Sequence, residues 1–219
     1  MEIDLSAPIL AKNDSLAAAN RELFDEKGVF VLDLLASPGA GKTCTILATI
    51  AALRDRYRIA VIEGDIASRV DAEKIKAHDI PAVQINTGGA CHLESDMIQR
   101  AISVLDLESL DLLIIENVGN LVCPTEFDLG EHAKVMILSV PEGDDKPLKY
   151  PGIFQVAEAI ILNKYDTLPV FDFDEAAFRE AVARLNGKAP IFPISATKGD
   201  GVAAWAEWLA ARIDGLKTR

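Results

Sequence analysis

Apolar residues along this 219-residue chain fall into two patterns that alternate almost from end to end. Short runs rich in Val, Ile and Leu occur at Val29–Leu35, Ile59–Ile62, Ala82–Ile85, Leu112–Ile115, Val135–Val140, Ala159–Leu162 and Ile191–Ile194. They lack the apolar–polar alternation of a half-solvated strand, and so predict strands buried on both faces, as parallel sheets require. Between most of them apolar residues recur three or four positions apart, as in Leu47, Ile50 and Leu53 or Phe178, Val182 and Leu185, which predicts helices. Strand and helix in alternation imply βαβ crossovers. The expected fold class is α/β: three layers, with a mainly parallel sheet of about seven strands and helices on both faces. Asn13 and Asp14 predict the start of an opening helix from Ser15 to Lys27, and Gly28 its end. The stretches Thr87–Ala90, Glu142–Gly152 and Tyr165–Asp174 are rich in turn residues and each follows a predicted strand, which is where ligands sit in open α/β sheets.

The first strand runs into Ala36-Ser37-Pro38-Gly39-Ala40-Gly41-Lys42-Thr43, followed by a helical pattern. This is the P-loop pattern G-x-x-x-x-G-K-[ST], except that Ala36 stands in place of the first glycine. Glycines let successive backbone N–H groups curl around phosphates, and the helix that follows adds its positive end. Pro38, Gly39, Ala40, Gly41, Lys42, Thr43 and Cys44 are the expected phosphate-holding residues, with Lys42 on the β/γ oxygens and the Thr43 hydroxyl on Mg²⁺. The Cys44 side chain is expected in the core. The three-layer fold is thereby narrowed to the P-loop NTPase type, with residues 1–27 as an N-terminal helical extension and 28–219 as the GTPase domain.

GTP rather than ATP is expected from Asn163-Lys164-Tyr165-Asp166 at the end of the sixth run. The Asp166 carboxylate can accept from the N1–H and exocyclic amine of guanine, whereas adenine would leave it buried and unpaired. The Lys164 stem can cover the base and Asn163 can tie this loop to the phosphate loop. Ser195-Ala196-Thr197-Lys198 resembles the S-A-K-type loop behind guanine in GTPases, with its lysine one position late. Leu112–Ile115 ends in Glu116, with Gly119 three residues on, where P-loop proteins place a magnesium-linked acid and a γ-phosphate-sensing glycine. Asp65, after Ile59–Ile62, is a second candidate for Mg²⁺. Lys42, Thr43, Asp65 and Glu116 thus form the expected catalytic set. No glutamine follows Gly119 and no arginine finger is evident, so hydrolysis is expected to be slow unless a partner completes the site. Lys146 and Lys149 are the candidates for that contribution.

Cys91 and His92 follow Thr87-Gly88-Gly89, and Cys123 lies a few residues beyond Gly119. Two thiolates and an imidazole suit Zn²⁺ or Ni²⁺ and leave a position open for water or a second subunit, although buried cysteines of purely structural use are common. Trp205 and Trp208 share a helical stripe with Val202 and Leu209 and are expected in the core.

Composition restricts the ligands further. With 22 Lys+Arg against 34 Asp+Glu the net charge is −12, which argues against nucleic acid as a partner. Three cysteines cannot build a disulfide framework. Met1-Glu2-Ile3-Asp4 lacks the features of a secretory signal, and no apolar run reaches the roughly 18–20 residues of a membrane span, so a cytoplasmic, membrane-free location is expected.

Together these residues resemble the hydrogenase nickel-incorporation GTPases of the HypB family, from about Asn20 to Trp208. The likeness is densest in Leu34–Thr43, Val61–Asp65 with Asp71-Ala72-Glu73, Gln84–Leu93, Leu113–Pro124, Phe127–Glu131 and Val140–Tyr150. It implies that Cys91, His92 and Cys123 bind nickel or zinc near a dimer interface. It also implies a homodimer that depends on GTP and metal, and GDP/GTP state that alters the metal site. Nickel would pass to a HypA-like chaperone and a hydrogenase large subunit. Thr43, Glu116 and Asp65 take the magnesium and switch roles, and Asp166 the guanine. Ser68-Arg69-Val70 departs from the family's Thr-Asp-Arg-like run, and the N-terminal cysteine or histidine tracts of some members have no counterpart before Cys44. The alternatives are a urease-type nickel GTPase, which uses Cys-Pro-His, a small-molecule P-loop kinase, and a non-catalytic dimer locked by GTP.

Overall fold

The computed structural model describes residues 6–65 and 80–218. Seven strands form one sheet: β1 (Phe30–Ala36), β2 (Ile59–Asp65), β3 (Ala82–Asn86), β4 (Leu112–Glu116), β5 (Ala133–Ser139), β6 (Ala159–Asn163) and β7 (Ile191–Pro193). Their order is β3-β2-β4-β1-β5-β6-β7 and every pairing is parallel. All seven expected strands are present; five begin at the expected residue, and every C-terminal end is displaced by one to three residues. β1, flanked by β4 and β5, is buried along its whole length, which explains a run that is apolar at every position but Asp33.

Two layers of helices cover the sheet. On one face, Phe30, Leu32 and Leu34 of β1 pack with Ile46 and Ile50 of α2 (Lys42–Leu53) and with Trp205, Leu209 and Ile213 of the C-terminal helix Val202–Lys217. Trp205 is fully buried, and its indole N–H donates to the Thr49 hydroxyl at 2.9 Å, so the polar tip is satisfied inside the core. Trp208 stacks on it with ring centroids 5.4 Å apart. On the other face, Val31 and Leu113 meet Phe24 of α1 (Ser6–Lys27) and Ile98 of α3 (Ser95–Ile102). Farther along that face Met136 and Ile160 meet Phe154 of the helix Pro151–Val156 and Phe178 of the helix Glu175–Asn186.

The opening helix differs from expectation. It is already formed at Ser6, so Asn13 and Asp14 lie inside it rather than at its cap. Asn13 is buried, its amide donating to the Asp128 carbonyl at 2.7 Å and its Oδ1 accepting from Ser95 N–H at 2.9 Å. Tertiary partners therefore satisfy the polar group that in isolation signals a helix start. Asn20, two helical turns on, donates from Nδ2 to the carbonyls of Ser95 (3.0 Å) and Leu129 (3.1 Å). Among the described residues no helix is long and apolar enough to cross a membrane.

Because Asn20 is buried and clasps two other segments to α1, Asn20→Ala is expected to destabilise the fold by about 1–3 kcal/mol. The change should lower the urea midpoint with an unaltered slope. A loss below about 0.5 kcal/mol would show that the clasp is not an anchor.

Candidate nucleotide and metal site

In a parallel sheet all strands end at one edge, and the candidate residues lie along it. The loop Ser37–Gly41 leaves β1 and delivers Lys42 as the first residue of α2. Gly39 and Gly41 have φ of +81° and +95°, a left-handed backbone that admits glycine readily. A Cβ on Gly41 would lie 2.5 Å from the Asn163 amide nitrogen. Ala36 needs no such freedom. It is the last residue of β1, buried and paired with Ile137, so an extended alanine serves where the pattern asks for glycine. No side chain caps α2, leaving its first N–H groups to an anion. Cys44 is a correction: it lies in the first turn of α2 with its side chain exposed, not in the core, because the buried face of that helix is taken by Thr45, Ile46, Thr49 and Ile50.

The candidate base-reading residues are stitched to this loop. Asn163 is buried at the end of β6, its Nδ2 donating to the Ala40 carbonyl at 2.9 Å and its Oδ1 accepting from Ala196 N–H at 3.2 Å. Lys164 adopts φ +55° and its Nζ reaches the Gly39 carbonyl at 2.8 Å. Asp166 follows in a short 3₁₀ turn and pairs with Lys198 Nζ at 3.0 Å; that ammonium group holds the carboxyl below its ordinary range. The one-residue offset of the lysine in Ser195–Lys198 thus leaves it within reach of Asp166. Ser195 is buried, while Ala196 supplies the backbone link to Asn163 and Thr197 lies in the same turn.

On the phosphate side, the Thr43 hydroxyl donates to the Glu116 carboxylate at 3.2 and 3.4 Å, linking the first turn of α2 to the end of β4. Gly119 lies against the loop, since a Cβ there would meet Pro38 at 3.0 Å. A hydroxyl and a carboxylate held together are hard oxygen donors that fit a magnesium ion. Asp65 ends β2; its side chain, together with Ser68-Arg69-Val70 and Asp71-Ala72-Glu73, lies outside the described residues. Lys146 and Lys149 lie on the short helix Lys146–Lys149, with Lys149 paired to Asp145 and Lys146 over the Tyr150 ring at 5.5 Å. Ser139-Val140-Pro141-Glu142 forms a capping box, Glu142 accepting from Ser139 N–H and Oγ at 2.7 Å; the bond from Ser37 to Glu142, which had no signal in the sequence, ties the end of β5 to the phosphate loop.

Cys91, His92 and Cys123 converge from two loops, with sulfur and nitrogen donor atoms all within 4.8 Å of one another. The Cys91 sulfur lies 3.5 Å from His92 Nδ1. The Cys91 thiol is pushed up by its neighbour Cys123 and by burial, while burial lowers the His92 imidazole and favours its neutral, metal-binding form. His92 lies against the Phe127 ring, tilted by 30° with centroids 3.8 Å apart, and its Nε2 lies 3.6 Å from Glu94, a distance for electrostatic orientation rather than a hydrogen bond. Two sulfurs and an imidazole fit a borderline-soft ion such as nickel or zinc. Neither Phe127 nor Glu94 was identifiable from spacing. Asn117, also missed, is buried between the two halves of the site, contacting Asp33, Leu93 and Val118.

A parallel sheet of this order with a strand–loop–helix phosphate cradle defines a P-loop nucleotide-binding protein. Residues 31–193 match the family described as CobW/HypB/UreG, nucleotide-binding domain. The hydrogenase maturation factor HypB of Azotobacter vinelandii is 49% identical over 217 residues, 95% of this chain and 72% of that protein. The crystal structure of HypB from Helicobacter pylori in complex with nickel aligns with a TM-score of 0.88 at 41% identity, covering 93% of this chain and 96% of that one. The hydrogenase maturation factor HypB from Archaeoglobus fulgidus aligns at 0.87 and 36% identity, covering 93% and 99%. The chain belongs to the CobW/HypB/UreG family and, within it, to the HypB hydrogenase maturation factors.

Gly41→Ala introduces a Cβ at 2.5 Å from the Asn163 amide on a left-handed backbone. It is expected to weaken nucleotide binding by at least about 100-fold, given a strained backbone and a displaced base loop. Fluorescent-nucleotide titration measures this, and a variant that binds normally refutes the close-packed cradle.

Proposed function

We propose that this protein is a metal-binding GTPase acting as a nickel-insertion accessory factor in [NiFe]-hydrogenase maturation, in which GTP binding and hydrolysis gate dimerisation and metal transfer. The observation that carries this reading is the Cys91–His92–Cys123 cluster, built on loops that adjoin the Glu116–Gly119 segment of the phosphate site. The HypB relatives, one of them crystallised with nickel, support it.

In this reading Asp166, kept ionised by Lys198, accepts from the guanine edge, while Asn163 and Lys164 brace the base loop against the phosphate loop. Lys42 and the first N–H groups of α2 neutralise the phosphate oxygens. Thr43 and Glu116, with Asp65, would hold magnesium, which supplies charge neutralisation at the transferred phosphoryl group. The residue after Gly119 is Asn120, whose amide donates to the Cys91 carbonyl at 3.2 Å and whose Oδ1 accepts from Val122 N–H. It braces the metal loop instead of orienting a water, so intrinsic turnover is slow and a second protomer or partner completes the site. Cys91, His92 and Cys123 take nickel or zinc as cargo and leave a position for a second subunit, a HypA-like chaperone or the hydrogenase large subunit.

Asp166→Asn exchanges an acceptor for a donor against guanine N1–H. GTP affinity is expected to fall by about 100-fold or more while xanthosine triphosphate gains, as competition binding would measure. An unchanged preference would remove Asp166 from the base site. Sedimentation with metal analysis tests the wider reading, comparing GDP with a non-hydrolysable GTP analogue. Wild type should dimerise most with analogue and nickel, and Cys91→Ala and Cys123→Ala should lose both metal and that response. Metal content and dimerisation that ignore nucleotide and both substitutions would overturn it.

A further inference from the structure

The structure joins the phosphate and metal loops through a buried residue. Asn117 follows Glu116, the end of β4, and its side chain is 1% exposed. Its Oδ1 accepts from Leu93 N–H at 3.2 Å and from Val118 N–H at 2.9 Å. Its Nδ2 donates to both oxygens of Asp33, at 3.1 and 3.3 Å. A carboxylate accepts only and backbone N–H groups donate only, so the amide has one possible orientation. Asp33, in the middle of β1, is held in turn by Lys134 Nζ at 3.6 Å, and Lys134 also donates to the Phe127 carbonyl at 2.8 Å. Phe127 is the ring against which His92 packs.

Leu93 is the receiving end. It directly follows His92, is fully buried, and its side chain fills the space over Gly64, where a Cβ would meet Leu93 Cδ1 at 2.6 Å. Gly64 lies next to Asp65 at the end of β2, and β2 pairs with β4. Leu93 thus sits in the fork between the two strand ends that carry the candidate magnesium acids, its backbone bonded to one and its side chain packed on the other. The neighbouring Asn120–Cys91 bond is exposed and can exchange with water. The Asn117–Leu93 bond is buried, where breaking it without replacement is unfavourable, so the two backbone segments move together.

We propose that Asn117, with Leu93 as its receiver, is the positioning residue that transmits nucleotide state to the metal site. A displacement of Glu116–Gly119 on exchange of GDP for GTP shifts Leu93 and with it the adjacent His92. The proposal rests on the metal-binding GTPase reading above and assigns to one side chain the coupling which that reading leaves open.

The test is titration of Ni²⁺ into the purified full chain, bound either to GDP or to a non-hydrolysable GTP analogue, for wild type and Asn117→Ala. Wild type should show nickel dissociation constants that differ between the two states by roughly 5- to 150-fold. Asn117→Ala should reduce that ratio to about twofold or less, with analogue affinity and nickel affinity of the nucleotide-free chain each within about threefold of wild type. A purely structural role would weaken both and leave the ratio. Retention of the wild-type ratio in the variant overturns the proposal alone. Absence of any ratio in wild type overturns it together with nucleotide gating. Should the variant fail to fold, the wild-type Leu93 amide decides: its NMR shift and exchange protection should differ between the two nucleotide states, and identical values overturn the relay.

Discussion

Because all seven strands run the same way, their carboxyl ends meet at one edge of the sheet, and everything chemical in this protein depends on that convergence. β1 delivers the phosphate loop, β4 delivers Glu116 and Asn117, and β6 delivers Asn163 and Lys164. The loop after β3 delivers Cys91 and His92. No strand end is free to move alone, since each pairs in register with its neighbours, and β1 sits between β4 and β5 with no exposed residue.

Convergence brings polar groups into places where water cannot follow. Asp33 interrupts an otherwise apolar strand and is fully buried; burial raises its pKa, while the Lys134 ammonium and the Asn117 amide pull it back. Lys134 reaches Glu131 at 2.7 Å as well, so one cation serves two acids, and burial pushes the Glu131 carboxyl up to about 7. A buried charge of this kind contributes little net stability over an apolar replacement, but leaving one member unpaired is strongly destabilising. Its consequence here is orientation. The Asn117 amide, the Phe127 carbonyl and the Leu129 N–H, which donates to Glu131 at 2.7 Å, are all set by it, and they line the loops behind the Cys91–His92–Cys123 cluster.

Much of this was legible along the chain. Seven buried strands follow from apolar runs, because a parallel sheet covered on both faces leaves no polar alternation to confuse the reading. The phosphate loop is legible even with Ala36, since the glycines at 39 and 41 and the Lys-Thr pair carry the local conformation and charge. What misled were residues whose role depends on a distant partner. Asn13 carries a cap signature, yet Asp128 and Ser95 supply its bonds and the helix runs through it. Cys44 is apolar enough for a core, but the helical phase turns it outward, and phase depends on where α2 begins.

Local sequence therefore determines the succession of strands and helices along the chain and the left-handed glycine turn that leads into Lys42, because each is set by backbone conformation within a few residues. Strand order, the meeting of Cys91 and His92 with Cys123, the Thr43–Glu116 contact and the Asn117–Leu93 joint were decided only in three dimensions. Those contacts link residues 24 or more positions apart, and no local periodicity encodes which of several strand ends will lie side by side.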